Sequence, residues 1–366
     1  MIFERSEQNP GARFLLMLAS GVVVLWGLQF AQAVLLPFAL ALFLAILSLP
    51  LVLGLIRRRV PSAVAILLAV TLVVGVFGLL ILLASQSLPE LGTRAERYQV
   101  ALQALWDGIL ADLSDRFNRP LDEILDSAQI LQANQLVSLV QSTVTRATIV
   151  FSQAFLVLLI MVFVLAEATV FPAKLRALSD GSDRGEERMA KIVTEIQSYL
   201  GIKTVISLLT GLLLGGFCWL MDLDFPILLG LVAFILNYIP TVGSIIAAVP
   251  AVLLSLILHG TVGHALGVTT GYVLVNTVFG NIIEPNLMGR RLGLSPLVVV
   301  LSLLFWNFIW GPLGALLSVP LTMILKIWLE NTQDLRWIAV LLDKQAPATT
   351  VLDVGGPANV DADPGV

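Results

Sequence analysis

Long apolar runs, each close to the length of a membrane crossing, alternate along this chain with short polar breaks. Phe14 to Leu36 and Pro37 to Ile56 read as two helices, the second closed by Arg57, Arg58 and Arg59. A basic triplet beside a short loop marks the cytoplasmic side of a membrane. Ser62 to Ala84 then runs to the opposite face, and Ile149 to Ala168 returns. The runs are continuous instead of alternating, which predicts helices and not a barrel. Between these spans, Leu91, Ala95, Tyr98, Leu102, Leu105, Ile109, Leu113 and Phe117 recur at helical spacing. They predict an amphipathic extracytoplasmic helix, followed by shorter helices after Pro120. A small cap and an assembly surface both fit that pattern.

Beyond the fourth span, Met189, Ile192, Val193, Ile196 and Leu200 share one face, as in a helix lying in the cytoplasmic interface. The tail from Gln345 is rich in Pro, Gly, Ala and Asp and is expected to be disordered. The chain thus divides into three N-terminal helices (1–84), an amphipathic extracytoplasmic region (85–148), and a fourth span with its interfacial helix (149–200). A core (201–330) and a cytoplasmic tail (331–366) follow.

The core does not divide into ordinary spans. Pro226 to Leu258 and Pro296 to Leu329 are each too long for one crossing, which takes at most about 25 residues. Each is broken near its middle, by "NYIPTVG" and "NFIWGPLG". The two runs match without a gap: Pro226 with Pro296, Asn237 with Asn307, Tyr238 with Phe308, Ile239 with Ile309, and Pro250 with Pro320. Prolines and an asparagine at equal spacing indicate an internal repeat. A normal span precedes each run, Gly201 to Met221 and Ala265 to Ile283. If each broken run is a re-entrant hairpin, the two units are inverted and Arg290 and Arg291 fall on the cytoplasmic side. Single kinked spans are the other reading. The expected fold is therefore an all-α polytopic membrane protein with six to eight transmembrane segments, two of them inverted hairpins or broken helices. Such repeats are a transporter signature, because backbone groups freed at a break must face protein or a wet cavity.

Composition agrees. Of 366 residues, 58% are hydrophobic and 13% charged, and the net charge is −4, which argues against a nucleic-acid partner. The single cysteine, Cys218, excludes an internal disulfide and offers no Cys/His metal pattern. Ala31-Gln32-Ala33 resembles a signal-cleavage pattern. The preceding run is long and Glu4 and Glu7 balance Arg5 and Arg13, so an uncleaved first helix is expected.

Candidate chemistry centres on Glu284, an ionisable group near membrane depth. It either carries a proton or pairs with Arg290 or Arg291 in a solvated loop. Asn237 and Asn307 stand near the two breaks, where an amide offers donors and an acceptor to a polar solute or caps its own broken helix. Tyr238, Pro240, Asn276 and Asn281 complete the candidate set for substrate binding or coupling. Arg57, Arg58, Arg59, Arg290 and Arg291 are topology markers. Gln29, Gln32 and Asn276 suit bonds between helices. His259 and His264 do not make a metal site, and Asp222 and Asp224 suit a solvated rim. Gly211 with Gly215, and Gly267 with Gly271, have the spacing of close helix packing. No metal or cofactor is implied. HExxH, GxSxG, P-loop and nucleotide fingerprints are absent, so no enzyme is expected.

The stretches "NYIPTVGSIIAAVPA", "IIEPNLMGRRLGLSPLVVVLSLLFW" and "GPLGALLSVPL" resemble the autoinducer-2 exporter-like (AI-2E, PerM-like) family of bacterial membrane proteins. The matching motif covers Asn237, Tyr238, Pro240, Gly243, Glu284, Pro285, Gly289 and Pro296. The resemblance implies a multi-spanning inner-membrane transporter with cytoplasmic termini, assembled as a homo-oligomer such as a pentamer. It further implies export of a small polar signal such as autoinducer-2, or sodium/proton exchange. Here "WNFIWGP" replaces the family's glycine-rich turn, so Trp306 and Trp310 either narrow the site or anchor at the interface. An oligomeric membrane scaffold is the reading from another class.

Overall fold

The computed structural model describes residues 10–117, 154–171, 184–288, 294–330 and 336–343, with residues 174 and 332. The shorter helices expected after Pro120, the positions of Gly289, Arg290 and Arg291, and the tail from Gln345 lie outside them. The described residues form helices and turns without a strand. Seven of the helices are long and apolar enough to cross a membrane.

In chain order these elements are α1 (Pro10–Phe30), α2 (Gln32–Arg57), α3 (Ser62–Phe117) and α4 (Ala154–Phe171). They continue with α5 (Arg184–Leu220), α6 (Pro226–Leu236), α7 (Val242–His259), α8 (Val262–Met288), α9 (Pro296–Glu330) and α10 (Arg336–Leu342).

Helices outrun the hydropathy that marks them. α3 continues unbroken for 56 residues, although its apolar stretch ends at Ser87. The expected span and amphipathic helix are therefore one rod of roughly 84 Å. α5 likewise fuses the expected interfacial helix with the span that follows. A change in polarity marks where a helix leaves the bilayer, and it need not end there.

The first pair is divided elsewhere than expected. The junction is Ala31 alone, and Pro37 and Pro50 both lie inside α2. Ala31 keeps near-helical angles (φ −80, ψ 5) and still bonds to Gly27 and Leu35. The α1–α2 pair bends there instead of reversing. It is not the antiparallel pair of crossings that the apolar runs suggest.

Both broken runs double back. α6 and α7 are joined by Asn237–Thr241, with Thr241 at φ 57. α9 is interrupted at Gly311 (φ 65, ψ −154). Trp306 Nε1 donates to Thr322 Oγ1 at 3.0 Å across 16 residues. A straight helix would hold those residues about 24 Å apart, so the arms of α9 fold back on each other. Each unit begins at one of the paired prolines and breaks at a left-handed residue, and the offset between units is the same at both points.

Prolines and breaks leave carbonyls without donors, and glutamines supply them. Pro50 withholds an N–H from the Ile46 carbonyl, which accepts from Gln197 Nε2 of α5 at 3.1 Å. The break at Gly311 does the same to Phe308, whose carbonyl accepts from Gln29 Nε2 at 3.1 Å. Gln32 Nε2 donates to the Trp310 carbonyl at 3.4 Å, and Trp310 Nε1 donates to Leu28 O at 3.2 Å. The bend at Ala31 and the break at Gly311 thus satisfy one another. Trp306 and Trp310 are buried in this joint, so they neither line an open site nor anchor at an interface.

Three apolar clusters hold the helices. One joins α2, α5 and α9 through Phe43, Tyr199, Trp306 and Met323. A second joins α5 to α8 and takes in Tyr98 from α3. The third packs α2, α3 and α4 around Ala41, Ala69 and Met161. The expected glycine packing is present: a Cβ on Gly211 would lie 2.7 Å from Phe234 Cβ, and one on Gly230 would lie 2.9 Å from Gly215 Cα. α5 and α6 are therefore in backbone contact.

Candidate functional site

α5 organises the site. Tyr199, Lys203, Ser207 and Thr210 follow one another at three- or four-residue steps, so they share one helix face. All four are buried. A polar side chain inside a membrane helix needs partners from neighbouring helices. Two elements supply them to Ser207 and Lys203, whereas the buried Thr210 Oγ1 has no hydrogen-bond partner among the described residues.

The first is the turn between α6 and α7. Asn237 Nδ2 donates to Ser207 Oγ at 3.0 Å, and Tyr238 Oη donates to Thr204 Oγ1 at 2.8 Å. Thr204 Oγ1 in turn donates to the Leu200 carbonyl at 2.7 Å. Asn237 therefore binds across to α5 and does not cap its own broken helix. Gly243 is buried where any Cβ would run into the Leu236 carbonyl, which keeps the turn tight. The turn meets α5 near the middle of its Val193–Leu220 span.

The second is α8. Its Thr277–Ile283 segment is wound as a π-helix, and the Glu284 N–H reaches back five residues to Phe279 O. Such widened turns recur at functional sites. Pro285 sits inside the final α-helical turn of α8 and does not end the span. Glu284 Oε1 lies 2.6 Å from Lys203 Nζ, with side-chain exposures of 17% and 3%. Glu284 thus pairs within the membrane-spanning helices, with a lysine of α5.

Either charge alone at this depth would be costly. Paired, the two form a link that protonation, a cation or a polar solute can open. A buried pair adds little to stability, and its best-attested use is as a register or switch.

The other candidates are dispersed. Pro240 is half-buried in the hairpin turn, and Asn276 is half-buried on α8, its Oδ1 3.0 Å from where a Cβ on Gly280 would stand. Asn281 and Asn307 are exposed. Arg57, Arg58 and Arg59 are exposed at the α2–α3 turn. His259 and His264 stack at 3.6 Å, with Ser255 Oγ 2.7 Å from His264 Nδ1. Asp224 is not a free rim carboxylate: it pairs with Arg94 at 2.5 Å and accepts from Tyr98 Oη at 2.5 Å. Sequence reasoning missed Tyr199, Lys203 and Ser207. Lysine four residues after tyrosine and four before serine, inside an apolar run, was the available signal.

An all-α polytopic chain with two broken hairpins and an ion pair between membrane-spanning helices is built as membrane transporters are. The chain belongs to the AI-2E family: the AI-2E family transporter profile matches residues 15–334. It is 38% identical to the AI-2 transport protein TqsA of Escherichia coli K12, over 91% of this chain and 96% of that one. A putative transport protein of Haemophilus influenzae is 39% identical, over 90% and 96%. The putative transport protein YhhT of Escherichia coli K12 is 34% identical, over 93% and 96%. The protein is a multi-pass membrane transporter.

Proposed function

We propose that the protein exports a small polar signal of the autoinducer-2 type across the bacterial inner membrane, as a secondary transporter or facilitator working in a homo-oligomer. The observation that carries this reading is the α5 polar stripe, where the first hairpin turn and the Lys203–Glu284 pair meet within the span. The name of the relative TqsA supports the substrate class. In this reading both hairpins are re-entrant. The first enters from the face opposite Arg57–Arg59 and the second from the Arg57–Arg59 side, which the positive-inside rule makes cytoplasmic. The C-terminal end is then cytoplasmic. A cytoplasmic N-terminus is what the family resemblance implies.

Solute competes with Lys203 or Asn237 for polar partners, and opening of the ion pair frees Glu284 to carry a proton. The pair also favours a second reading, sodium/proton exchange, because a membrane-depth carboxylate is the group such exchange requires. Reconstituted liposomes separate the two. Efflux of loaded autoinducer-2 that Glu284→Gln abolishes supports export. Proton movement driven by sodium alone, with no efflux of the signal, supports exchange. Absence of both fluxes would reject either reading.

A further inference from the structure

The α3 arm reaches beyond its apolar span, which ends at Ser87, and grips the first hairpin at its mouth. Both oxygens of Asp224 are taken, Oδ1 by Arg94 Nη1 and Oδ2 by Tyr98 Oη, each at 2.5 Å. The neighbouring Phe225 is held by the same two residues. Tyr98 meets its ring edge-on at 6.3 Å, and the Arg94 guanidinium lies 5.8 Å from its centroid. Asp222 and Phe225 have φ of 51 and 59, a conformation that persists in non-glycine residues only where surrounding contacts impose it. Tyr98 is buried in the same apolar cluster as Cys218, Leu223 and Tyr272, and the Leu223 N–H donates to the Cys218 carbonyl at 3.0 Å.

We propose that Arg94 and Tyr98 form a latch on Asp224 and Phe225, and that release of the α3 arm opens the hairpin mouth and admits water to the space around Cys218. The physical case has two parts. The Arg94 and Asp224 side chains are 37% and 25% exposed, and ion pairs in such settings are weak and readily broken. The arm is also one continuous helix, so a displacement farther out is passed along it to Tyr98. From Tyr98 to Phe117 it extends about 28 Å. A transporter that exposes its site to one face at a time needs a reversible closure at a hairpin mouth, and neither the polar stripe nor Glu284 supplies it.

The chain's single cysteine reports this directly, without any substrate, so the test stands apart from the export reading. The full-length protein in nanodiscs is reacted with a water-soluble maleimide, and the rate of Cys218 labelling is measured. Asp224→Asn and Tyr98→Phe should each accelerate labelling about fivefold or more, as expected when a charge-assisted partner is lost. Tyr98→Phe keeps the ring packing, so its effect isolates the hydroxyl. Arg94→Asp and Asp224→Arg should each be fast alone and slower together than either single variant, though not native, because the swap restores the ion pair without the Tyr98 bond. Glu167→Gln, which removes the exposed pair with Lys174 at 2.7 Å, should leave the rate unchanged. Native rates in the single latch variants, no rescue in the charge swap, or equal acceleration by Glu167→Gln would each overturn the latch.

Discussion

The two hairpins start from matching prolines and break at matching positions, yet they close their breaks by different means. In the first, side chains of the turn bond to side chains of α5: Asn237 to Ser207 and Tyr238 to Thr204. In the second, backbone carbonyls are taken by Gln29 and Gln32 from the α1–α2 bend. Asn237 is buried, whereas its counterpart Asn307 is exposed. A side-chain contact can be exchanged for a solute, while a capped backbone carbonyl has no comparable replacement. The repeat has thus kept one architecture and closed its two breaks differently, with side-chain bonds to α5 in the first unit and capped backbone carbonyls in the second.

The largest effect should come from the Lys203–Glu284 pair, which ties the α5 face that the first turn contacts to α8, the span before the second hairpin. Glu284→Gln strands the Lys203 ammonium among buried residues, and removal of one partner from a buried pair costs about 3–5 kcal/mol. Thermal unfolding in detergent should show that loss. The double variant Lys203→Met/Glu284→Gln should recover most of it without recovering flux. Stability that is indifferent to the single change would mean water already solvates Lys203.

Next comes an exchange of the two break residues. Gly311 has φ 65 and ψ −154, a region essentially restricted to glycine. No neighbouring atom lies within 4 Å of where its Cβ would be, so Gly311→Thr should lose about 2–3 kcal/mol through the backbone alone. Thr241→Gly should gain about 0.5–1 kcal/mol, because a β-branched residue at positive φ is strained. Opposite signs at equivalent positions would show that the first turn holds a strained residue by its surroundings. Equal signs would remove that distinction.

The sequence displayed the repeat because proline and asparagine are rare enough in apolar runs for equal spacing to stand out. It displayed Glu284 because an acid at membrane depth is conspicuous. Its partner was not legible: Lys203 is 81 residues away, and only the packing of α8 on α5 joins them. Thr241 gave no warning of a left-handed turn, since its β-branch argues against one. Pro37 looked like a helix start, but its helix begins upstream, where the bend meets the second hairpin. The role of the glutamines was half visible. Gln29 and Gln32 read as bonds between helices, while the carbonyls they serve are freed by the break at Gly311.

A smaller effect follows for those glutamines. Gln29→Leu leaves the Phe308 carbonyl without its donor and, where that face meets lipid, should cost about 1–2 kcal/mol. Gln197→Leu, which orphans Ile46 beside Pro50, should cost about the same. If second-hairpin fixation is the special property, Gln29→Leu should also increase hydrogen exchange around Gly311, which Gln197→Leu should not. Matching exchange patterns in both variants would reduce Gln29 to a generic carbonyl-capping donor.

The smallest effect lies at the first hairpin's mouth and depends on pH. Burial alone would raise the Asp224 carboxyl, but the hydrogen bonds from Arg94 and Tyr98, with the charges of Arg94 and Arg97, outweigh it and hold the group below its ordinary range. Tyr98 is pushed up to about 12, first by burial and then by its bond to Asp224. A depressed carboxylate contributes stability above its unfolded pKa of about 3.9 and loses that contribution as pH falls through the folded value. The thermal stability difference between native protein and Asp224→Asn should therefore be flat from neutrality to about pH 5 and vanish only in stronger acid. On the alkaline side, the raised phenol contributes fully below its unfolded pKa of about 10. The difference between native protein and Tyr98→Phe should shrink between there and about 12. No such two-sided profile is expected for Gln29→Leu, because backbone carbonyls and amides do not titrate. A difference for Asp224→Asn that already fades between pH 7 and 5 would mean that Arg94 and Tyr98 do not hold the carboxylate in its charged form.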